Sequence, residues 1–254
     1  MRHVTILEPL RVIRISVSTP KSIPVSMPYL EALKLQQEAT PENRGRLLLF
    51  MPSSAVITVG RRFMGRLPVD VWREPKANDE TIEVLGTMRG GGVSFHGPGQ
   101  WLIFPIGGLV DFGYESTAVK AFIDDVILVF KQYINIYIEV HAEAALDKPA
   151  LIYQRDGIFS KDGSRKFLSV GLRVQRSHME HGFCLNMWPA EPFNDWSERL
   201  IICDMPHTKL SSLYSSKPDA CQIEVLANGL LSTLELLKKP IGTINKTPKK
   251  LLEP

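Results

Sequence analysis

Short runs of apolar and β-branched residues recur along the first half of the chain. They lie at 12–17, 47–50, 55–59 and 101–106, and their length and composition are typical of β-strands. The tripeptide Pro-Ser-Ser between the second and third runs is a turn signal. We therefore predict that these two strands pair with each other.

Apolar residues at helical spacing predict three helices. The first is expected after Ser26, which suits an N-cap, with Pro28 in its first turn and its end near Thr40. The second is expected from Ser116 onward, where apolar residues recur at helical spacing. These residues are Ala118, Ala121, Phe122, Val126 and Phe130. The third, amphipathic helix is expected over 222–239, with lysines at its end that suit the helix dipole.

Two further apolar runs, at 166–174 and 181–187, predict strands joined by a polar turn at 175–180. The polar, proline-containing segment at 66–80 predicts a surface loop. Strands neither alternate strictly with helices nor occur alone. We therefore predict the α+β class, with a mixed sheet flanked by helices, in a single domain over 1–254 that ends in a basic tail at 240–254.

Charge and composition exclude several classes of function. Thirty basic and 27 acidic residues leave a formal charge of +3, which is too small for a protein whose affinity rests on neutralising phosphates. No apolar run approaches the roughly 18 residues that span a bilayer. We therefore expect neither nucleic acid nor membrane as a partner. The three cysteines, Cys184, Cys203 and Cys221, form no C-x-x-C pair and favour a reducing compartment.

Residues 88–101, MRGGGVSFHGPGQW, hold five of the 18 glycines of the chain. The segment contains neither G-x-x-x-x-G-K-[ST] nor G-x-G-x-x-G, so neither motif supports nucleotide binding. A lone Gly-Pro-Gly would predict a tight hairpin turn. Here Arg89, Ser94, His96 and Gln100 stand between two apolar strands, which a plain turn does not require. We favour a wall that packs against an extended apolar ligand while a few polar groups hold its polar end.

Other catalytic templates are absent from the sequence. There is no H-E-x-x-H, and His178 with His181 supplies only two metal ligands. We therefore expect no metal site and interpret these two histidines as structural or solvated. No G-x-S-x-G occurs, which argues against an α/β-hydrolase. The cysteines remain as candidate nucleophiles.

The glycine segment resembles the signature R-G-G-x-[VT]-[TS]-[YF]-H-G-P-G-Q of lipoyl(octanoyl) transferases. It reads Arg89-Gly90-Gly91-Gly92-Val93-Ser94-Phe95-His96-Gly97-Pro98-Gly99-Gln100. Three further blocks resemble family motifs: T-V-G-R-R at 58–62, K-F-L-S-V-G-L-R-V at 166–174 and H-G-F-C-L-N-M at 181–187. The resemblance covers about residues 47–213.

This resemblance implies an acyltransferase with the fold of biotin and lipoate ligase catalytic domains. Such enzymes move an octanoyl group from acyl carrier protein to a lysine on the lipoyl domain of a 2-oxo-acid dehydrogenase or on the glycine-cleavage H protein. By position, Cys203 is expected to carry the acyl group as a thioester, with Lys166 beside it. The residues expected to bind substrate are Arg89, Gly90, Gly91, Gly92, Val93, Ser94, Phe95, His96, Ser169, Val170, Gly171, His181, Gly182, Phe183 and Cys184.

The implied chemistry suits a cysteine beside a lysine. A free thiol has a pKa of about 8.5 and attacks only as the thiolate, so a nearby ammonium group lowers that pKa and can relay protons. Backbone amides near 169–171 or Gly182 are expected to stabilise the oxyanion. We expect His96 to hydrogen-bond the acyl carbonyl or the loop, with proton transfer as the alternative role. Because transfer from a thioester to an amide is downhill, we expect neither an ATP site nor another cofactor.

The chain departs from the family pattern around the expected nucleophile. It has Ile202-Cys203-Asp204 where the family usually has P-C-G. A carboxylate beside a thiol raises the thiol pKa unless Lys166 outweighs it or Asp204 points away. Cys184 stands where the family usually has alanine, either as a small residue against the acyl pocket or as a second reactive thiol. Without the resemblance, Lys166 would be interpreted as a surface charge and Cys203 as a small buried residue.

Two other functions stay open at this point. One is an ATP-dependent lipoate or biotin ligase of the same fold, although G-P-G-Q follows the histidine here where lipoate ligases have D-x-G-N. The other is a scaffold that binds lipoyl domains or acyl carrier protein without chemistry. The arginine-bearing N-terminus and the segment at 71–80 resemble eukaryotic relatives that act in mitochondria. We therefore expect a mitochondrial location, with a bacterial cytoplasm as the alternative.

Overall fold

The computed structural model describes residues 3–7, 11–16, 24–63, 82–138, 151–201, 205–234 and 237. Within these residues, strands β1 to β15 are His3–Leu7, Arg11–Ser16, Val25–Met27, Arg46–Pro52, Val56–Val59, Glu83–Gly86, Val93–His96, Gln100–Ile106, Leu151–Gln154, Gly157–Ser160, Arg165–Val170, Arg173–Gln175, His178–Glu180, Phe183–Asn186 and Lys209–Leu210. Helices α1 to α4 are Tyr29–Gln37, Val119–Tyr133, Phe193–Arg199 and Ala220–Leu234. Short 3-10 turns lie at Arg61–Phe63 and Leu109–Phe112, and a π-helical turn at Ile134–Ile138 extends α2.

Ten of the described strands form one mixed sheet. Its path is β1-β2-β4-β8-β14-β11-β10-β9, with β3 beside β4 and β15 beside β11. Neighbours along the path are antiparallel except β2 and β4, which run parallel. Strands β3 and β15 also run parallel to their partners. With helices packed against this sheet, the predicted α+β class and its mixed sheet are confirmed.

Alternation along β8 sends side chains to opposite faces of the large sheet. Trp101 and Ile103 belong to the main core, which also contains the apolar faces of α2 and α4. Leu102 and Phe104 belong to a second core, to which α1 contributes. Burying an apolar side chain of this size contributes roughly 1.5–3 kcal/mol. Because both faces are buried, β8 reads as a continuous apolar run rather than an alternating one.

A separate three-stranded sheet, in the order β6-β5-β7, carries the glycine segment. Its apolar residues pack against α3 in a third core. The rings of Phe95 on β7 and Phe193 on α3 lie 6.0 Å apart at 71°, an edge-to-face arrangement that is favourable for aromatic pairs. The glycine segment therefore begins in the small sheet at β7 and continues into the large sheet at β8.

The predicted pairing of the strands at 47–50 and 55–59 is wrong. These segments form β4 and β5, but β4 pairs with β2, β3 and β8, whereas β5 pairs with β6 and β7. The short connection between them passes from one sheet to the other. Each strand therefore completes its backbone hydrogen bonds with partners that are distant in sequence.

The first helix begins later than predicted. Ser26 lies in β3, where it is paired with Met51 of β4, so its backbone is extended and it does not cap the helix. Pro28 occupies the N-cap position instead, and the helix ends at Gln37 rather than near Thr40. Strand pairing with β4 thus overrides the local capping preference of serine.

The strand predicted over 166–174 is interrupted, and the predicted turn at 175–180 contains strand structure. The chain leaves the large sheet after β11, and β12 then pairs with β13 as a separate hairpin. Only Arg176 and Ser177 form the turn, with φ angles of 48° and 62°. The two predicted strands do lie side by side, because β11 pairs with β14.

The remaining predicted elements are confirmed where they are described. The runs at 12–17 and 101–106 form β2 and β8, and the helix expected from Ser116 is α2, which begins at Val119. Within α2 the side chains of Phe122, Val126 and Phe130 are buried, but Ala121 is exposed. No helix in the described ranges has the length and apolar character needed to cross a membrane.

The last helix begins two residues earlier than predicted, at Ala220, and is described as far as Leu234. Parts of its predicted end lie outside the described residues. The predicted loop at 66–80 and the basic tail at 240–254 lie outside them as well.

Candidate active site

A cavity that is open to solvent is lined by residues of both sheets. Ten of the residues expected to bind substrate line it: Arg89, Ser94, His96, Ser169, Val170, Gly171, His181, Gly182, Phe183 and Cys184. Their apolar and polar side chains together suit a ligand with an apolar chain and a polar end.

Side chains alternate along β7, so two of its residues face the cavity and two face the third core. Ser94 and His96 share the face of the strand that lines the cavity. Val93 and Phe95 point to the opposite face and pack in the third core with α3. These two predicted substrate-binding residues therefore support the wall from behind. Residues 90–92 are likewise not among the described residues that line the cavity.

The backbone carbonyls of the glycine loop at 90–92 pack closely against Gly60. A Cβ atom at Gly60 would lie 2.3 Å from the carbonyl oxygen of Gly91, so this approach requires a residue without a side chain. Gly91 itself has a φ of +82°, which glycine adopts at little cost. The missing side chain at Gly60 thus allows the chain after β5 and the glycine loop to meet.

The guanidinium group of Arg89 holds the glycine loop in place. Its Nε donates to Thr58 Oγ1 at 2.8 Å, and its Nη2 donates to Thr58 O at 2.6 Å and Gly92 O at 2.7 Å. Its Nη1 donates to Gly90 O at 2.9 Å. Arg89 is therefore a buried cation whose donors are directed to its own loop and to β5, while its charge still acts on the neighbouring cavity residues.

His96 is buried in the cavity wall with unused hydrogen-bonding capacity. Among the described residues, neither ring nitrogen has a hydrogen-bond partner. The ring stacks on Tyr29 with a centroid distance of 5.1 Å. Burial, reinforced by the charge of Arg89 and by His181, lowers the pKa of His96 well below its usual value. The imidazole is therefore neutral at physiological pH, with one donor and one acceptor.

His181 lines the same cavity but is tightly held. Its Nδ1 and the Tyr29 hydroxyl share a hydrogen bond of 2.9 Å. Gln36 accepts from the His181 amide at 2.7 Å and donates to its carbonyl at 2.7 Å, which fixes a backbone with a φ of 57°. Burial, with the charges of Arg89 and Arg173, lowers the pKa of His181 to about 4.

Two of the backbone amides expected to stabilise an oxyanion are already engaged. The Gly171 amide donates to Gly182 O at 2.8 Å, and the Val170 amide donates to Asp156 O at 3.4 Å. Gly182 is also tightly packed, since a Cβ atom there would lie 2.1 Å from Ile103 O. The expectation that the amides of Val170 and Gly171 hold an oxyanion is therefore wrong in this structure, because strand and loop pairing uses them.

Cys184 lies on β14 in the cavity wall, at the edge of the second core. Burial raises the pKa of its thiol, and the charges of Arg89 and Lys166 offset only part of this effect. The side chain is therefore a neutral thiol at physiological pH, and a neutral thiol is a weak nucleophile. This placement favours the interpretation of Cys184 as a small residue against the pocket.

Lys166 is almost completely buried, with 1% of its surface exposed, so the alternative of a surface charge is wrong. Its Nζ lies 4.9 Å from the centre of the Phe159 ring, a distance at which a cation is attracted to the ring face. It is not among the described residues that line the cavity. Cys203 and Asp204 lie outside the described residues. The segment that follows them returns to β11, where β15 pairs Leu210 with Lys166.

Three cavity residues were missed by sequence reasoning: Tyr29, Leu102 and Phe104. Leu102 and Phe104 alternate along the apolar run that directly follows the glycine segment, so the period of the strand was a usable signal. Tyr29 had none, because it reaches the cavity through the packing of α1 on β4 and β8.

The described residues contain no group of three or more His, Cys, Asp and Glu side chains placed to hold a metal ion. The two histidines considered as metal ligands differ in environment, since His178 is exposed on β13 and His181 is buried in the cavity wall.

Comparison with known proteins gives matches over most of the chain. The family model described as the lipoyl protein ligase A/B catalytic domain matches residues 28–198, a range that contains every described residue of the cavity wall. An octanoyltransferase of Caldicellulosiruptor saccharolyticus is 30% identical over 190 residues, which are 73% of this chain and 74% of that protein. The mitochondrial octanoyltransferase of Saccharomyces cerevisiae is 28% identical over 148 residues, which are 58% of this chain and 44% of that protein.

Among solved structures, a bipartite lipoate protein ligase from Thermoplasma acidophilum, described together with its E2 lipoyl domain, shares the fold. The TM-score is 0.50 at 8% identity, with 83% of this chain and 82% of that chain covered. At this identity the match shows the fold alone. The expected likeness to lipoate ligase catalytic domains is thus confirmed.

Proposed function

Because this chain belongs to the lipoyl protein ligase A/B catalytic-domain family, we propose that it transfers octanoyl groups from octanoyl-acyl carrier protein to a lysine of lipoyl domains. The family and the octanoyltransferase relatives make it an acyltransferase enzyme. The acyl carrier as donor, a thioester on Cys203 and a place at the first step of protein lipoylation are parts of the proposal. Single-domain organisation of the whole chain likewise stays a prediction.

The observation that carries the proposal is the two-sided character of the cavity. Leu102 and Phe104, whose side chains share one face of β8, offer an apolar surface to an acyl chain. His96 and Ser94 offer polar groups from the opposite strand, β7. A carbonyl group at this position would give the buried His96 the hydrogen bond that it lacks among the described residues.

The proposed reaction has two acyl transfers. The Cys203 thiolate attacks the thioester carbonyl of the donor, and the carrier's thiol leaves when the tetrahedral intermediate collapses. The amine of the acceptor lysine then attacks the Cys203 thioester, loses a proton and forms the amide, and the Cys203 sulfur leaves. The ammonium group of Lys166 favours the Cys203 thiolate and passes a proton to the leaving carrier thiolate; as the neutral amine it then takes the proton that the acceptor amine loses, so the ammonium group and the Cys203 thiolate are both restored. A neutral His96 donates a hydrogen bond to the developing oxyanion.

The partners follow from this chemistry. Donor and acceptor are both macromolecules, so the reacting groups must arrive on extended arms, a phosphopantetheine thioester and a lysine side chain. We propose lipoyl domains of 2-oxo-acid dehydrogenases and the glycine-cleavage H protein as acceptors. We also propose a mitochondrial site of action, which the named mitochondrial yeast relative supports, with a bacterial cytoplasm as the alternative that the bacterial relatives support.

Intact-protein mass after incubation with octanoyl-acyl carrier protein tests the proposal. We expect an octanoyl adduct on the wild type and on the matched control Cys221→Ala, whose cysteine is exposed and outside the cavity wall. We expect none on Cys203→Ala. Addition of a lipoyl domain should remove the adduct and modify the domain without ATP.

Each other outcome selects a different function. Modification that requires ATP and free octanoate would support the ligase of the same fold. Absence of an adduct with retained binding of the lipoyl domain or the carrier would support the non-catalytic scaffold. An adduct that persists in Cys203→Ala would show that another cysteine is the nucleophile.

A further inference from the structure

Two buried amide side chains connect the glycine segment to Lys166. Gln100, the first residue of β8, and Asn186, the last residue of β14, face each other in the sheet register. Gln100 Oε1 accepts from the Gly97 amide at 2.9 Å, and Gln100 Nε2 donates to Asn186 Oδ1 at 2.8 Å. Their side chains are 0% and 1% exposed.

Asn186 passes this connection on to the lysine. Its Nδ2 donates to Lys166 O at 3.0 Å and to Ser211 O at 3.1 Å, so both amide hydrogens are used. The Ser211 amide in turn donates to Lys166 O at 2.9 Å. The carbonyl of Lys166 therefore accepts two hydrogen bonds, one from β14 and one from the segment that follows β15.

The side chain of Lys166 has little freedom to compensate for a backbone shift. Its stem is buried, and its Cε would lie 2.9 Å from a Cβ atom at Gly157. Its Nζ is held over the Phe159 ring. A displacement of the Lys166 backbone is therefore transmitted to Nζ rather than absorbed by rotamer changes.

We propose that Gln100 and Asn186 are positioning residues that set the place of the Lys166 ammonium group relative to the nucleophile. The inference rests on the proposed function, in which Lys166 acts on Cys203. It gives a physical role to two amide residues that belong to different sequence blocks and meet in the sheet. The turn at Gly97 next to His96 and the backbone of Lys166 are joined by the same chain of hydrogen bonds, so binding wall and ammonium group keep a fixed separation.

The test uses the pH dependence of Cys203 alkylation by iodoacetamide on the full chain, quantified by mass on the Cys203 peptide. Among the described residues, His96, Cys184 and Arg89 are ionisable groups near this network. The alkylation of Cys184 is therefore followed on its own peptide. In Lys166→Ala the Cys203 profile should move to higher pH, because an ammonium group that favours the thiolate has been removed. In Asn186→Ala and in Gln100→Met the profile should move in the same direction by a smaller amount.

The rate of octanoyl-adduct formation provides the second measurement. A displacement of a catalytic group by about 1 Å can reduce a rate by about 100-fold, and we expect losses of about 10- to 100-fold in both variants, with KM for the carrier unchanged. Thr233→Val is the control, since Thr233 is buried and loses a bond of 2.7 Å to Gly229 O in α4. It should lose stability but keep the wild-type pH profile.

Outcomes for the two ideas are separable. If the wild type forms no adduct, the proposed function fails. If the wild type forms one while Asn186→Ala and Gln100→Met keep its rate and its pH profile, the positioning role is wrong. Gln100→Met preserves side-chain volume and removes the hydrogen bonds to Gly97 and Asn186 without changing Asn186 itself. It therefore tests the positioning role even if Asn186→Ala does not fold. A Lys166→Ala profile identical to the wild type would also overturn the proposal.

Discussion

The two buried histidines of the cavity differ in their hydrogen bonds. His181 is bonded through its ring to Tyr29 and through its backbone to Gln36. His96 stacks on the same tyrosine, yet neither of its ring nitrogens has a hydrogen-bond partner among the described residues. Both rings are neutral, because burial and the charge of Arg89 lower both pKa values. The difference therefore lies in hydrogen bonding and not in charge.

This difference separates a structural group from a group available to a ligand. A buried polar group without a partner costs about 1–3 kcal/mol, and natural proteins rarely keep such a cost without a function. His181 contributes to the stability of the wall. The unpartnered nitrogens of His96 lower stability in the free protein, and under the proposed function His96 gains a hydrogen bond when the acyl carbonyl occupies the cavity.

The largest expected effect comes from His96→Phe, which keeps the stacked ring and removes both nitrogens. If His96 stabilises the oxyanion, kcat should fall about 100- to 1,000-fold. The free energy of unfolding should stay unchanged or rise by about 1 kcal/mol, because an unpartnered polar group has been removed. Acyl-transfer kinetics and urea unfolding measure the two quantities. His178→Phe, at an exposed site, is the control, and a His96 variant that is destabilised but fully active would contradict the comparison.

The acid side of the stability profile gives the next largest effect. The pKa of His181 is about 4 in the folded protein and about 6.5 in an unfolded chain. Between these values the unfolded chain binds a proton that the folded protein does not, so stability is complete above pH 6.5 and falls as the pH decreases towards 4. The loss attributable to His181 is about 3 kcal/mol, and the lowered pKa of His96 acts in the same direction.

Urea midpoints between pH 7.5 and 4.5 measure this loss. In His181→Phe the midpoint should depend less on pH than in the wild type. An equal dependence in the two proteins would show that other groups are responsible.

A smaller effect is expected for Tyr29→Phe, which removes the hydroxyl bonded to His181 and keeps the ring stack with His96. The free energy of unfolding should fall by about 1–2 kcal/mol, because His181 Nδ1 loses its buried partner. Tyr214→Phe is the matched control, since the Tyr214 hydroxyl is buried without a partner among the described residues. Urea unfolding of both variants checks this, and equal losses would contradict the assigned hydrogen bond.

The smallest effect is expected for Cys184→Ala. The side chain is small and its thiol is neutral, so stability should fall by about 1 kcal/mol or less. The rate of octanoyl-adduct formation should stay within about twofold of the wild type, because a neutral buried thiol does not compete as a nucleophile. Loss of the adduct in this variant would make Cys184 the acyl carrier.

Local patterns predicted individual elements better than their partners. The apolar run of β8 and the helical spacing of α2 carry their own signal, and both elements lie where expected. β4 pairs with β8, a strand about 50 positions further along the chain, and not with β5. The turn signal between β4 and β5 does not indicate which distant strand will be the partner. Ser26 shows the same limit, because its pairing with Met51 decides its backbone conformation.

The same physical limit applies to the cavity. Motif resemblance identified residues on β7, β11 and β14, since these segments are continuous in sequence. Tyr29 was missed because it contacts His181 across 152 positions. The glycines at 90–92 carry a motif signal, but their carbonyls pack against Gly60 and they do not line the cavity, which spacing alone does not distinguish from ligand contact. The pairing of Cys203 with Lys166 stays a prediction, because Cys203 lies outside the described residues.

The central position of β8 has a consequence for synthesis of the chain. Its partner β14 supplies one wall of the cavity, and the facing residues Gln100 and Asn186 are 86 positions apart. A nascent chain that ends before β14 therefore has no complete cavity, and Leu102 and Phe104 lack part of their packing. Pairing at this sequence separation requires closure of a long loop, which has a larger entropic cost than a local contact. Under the proposed function, octanoyl groups leave their carrier only for chains in which this pairing is complete.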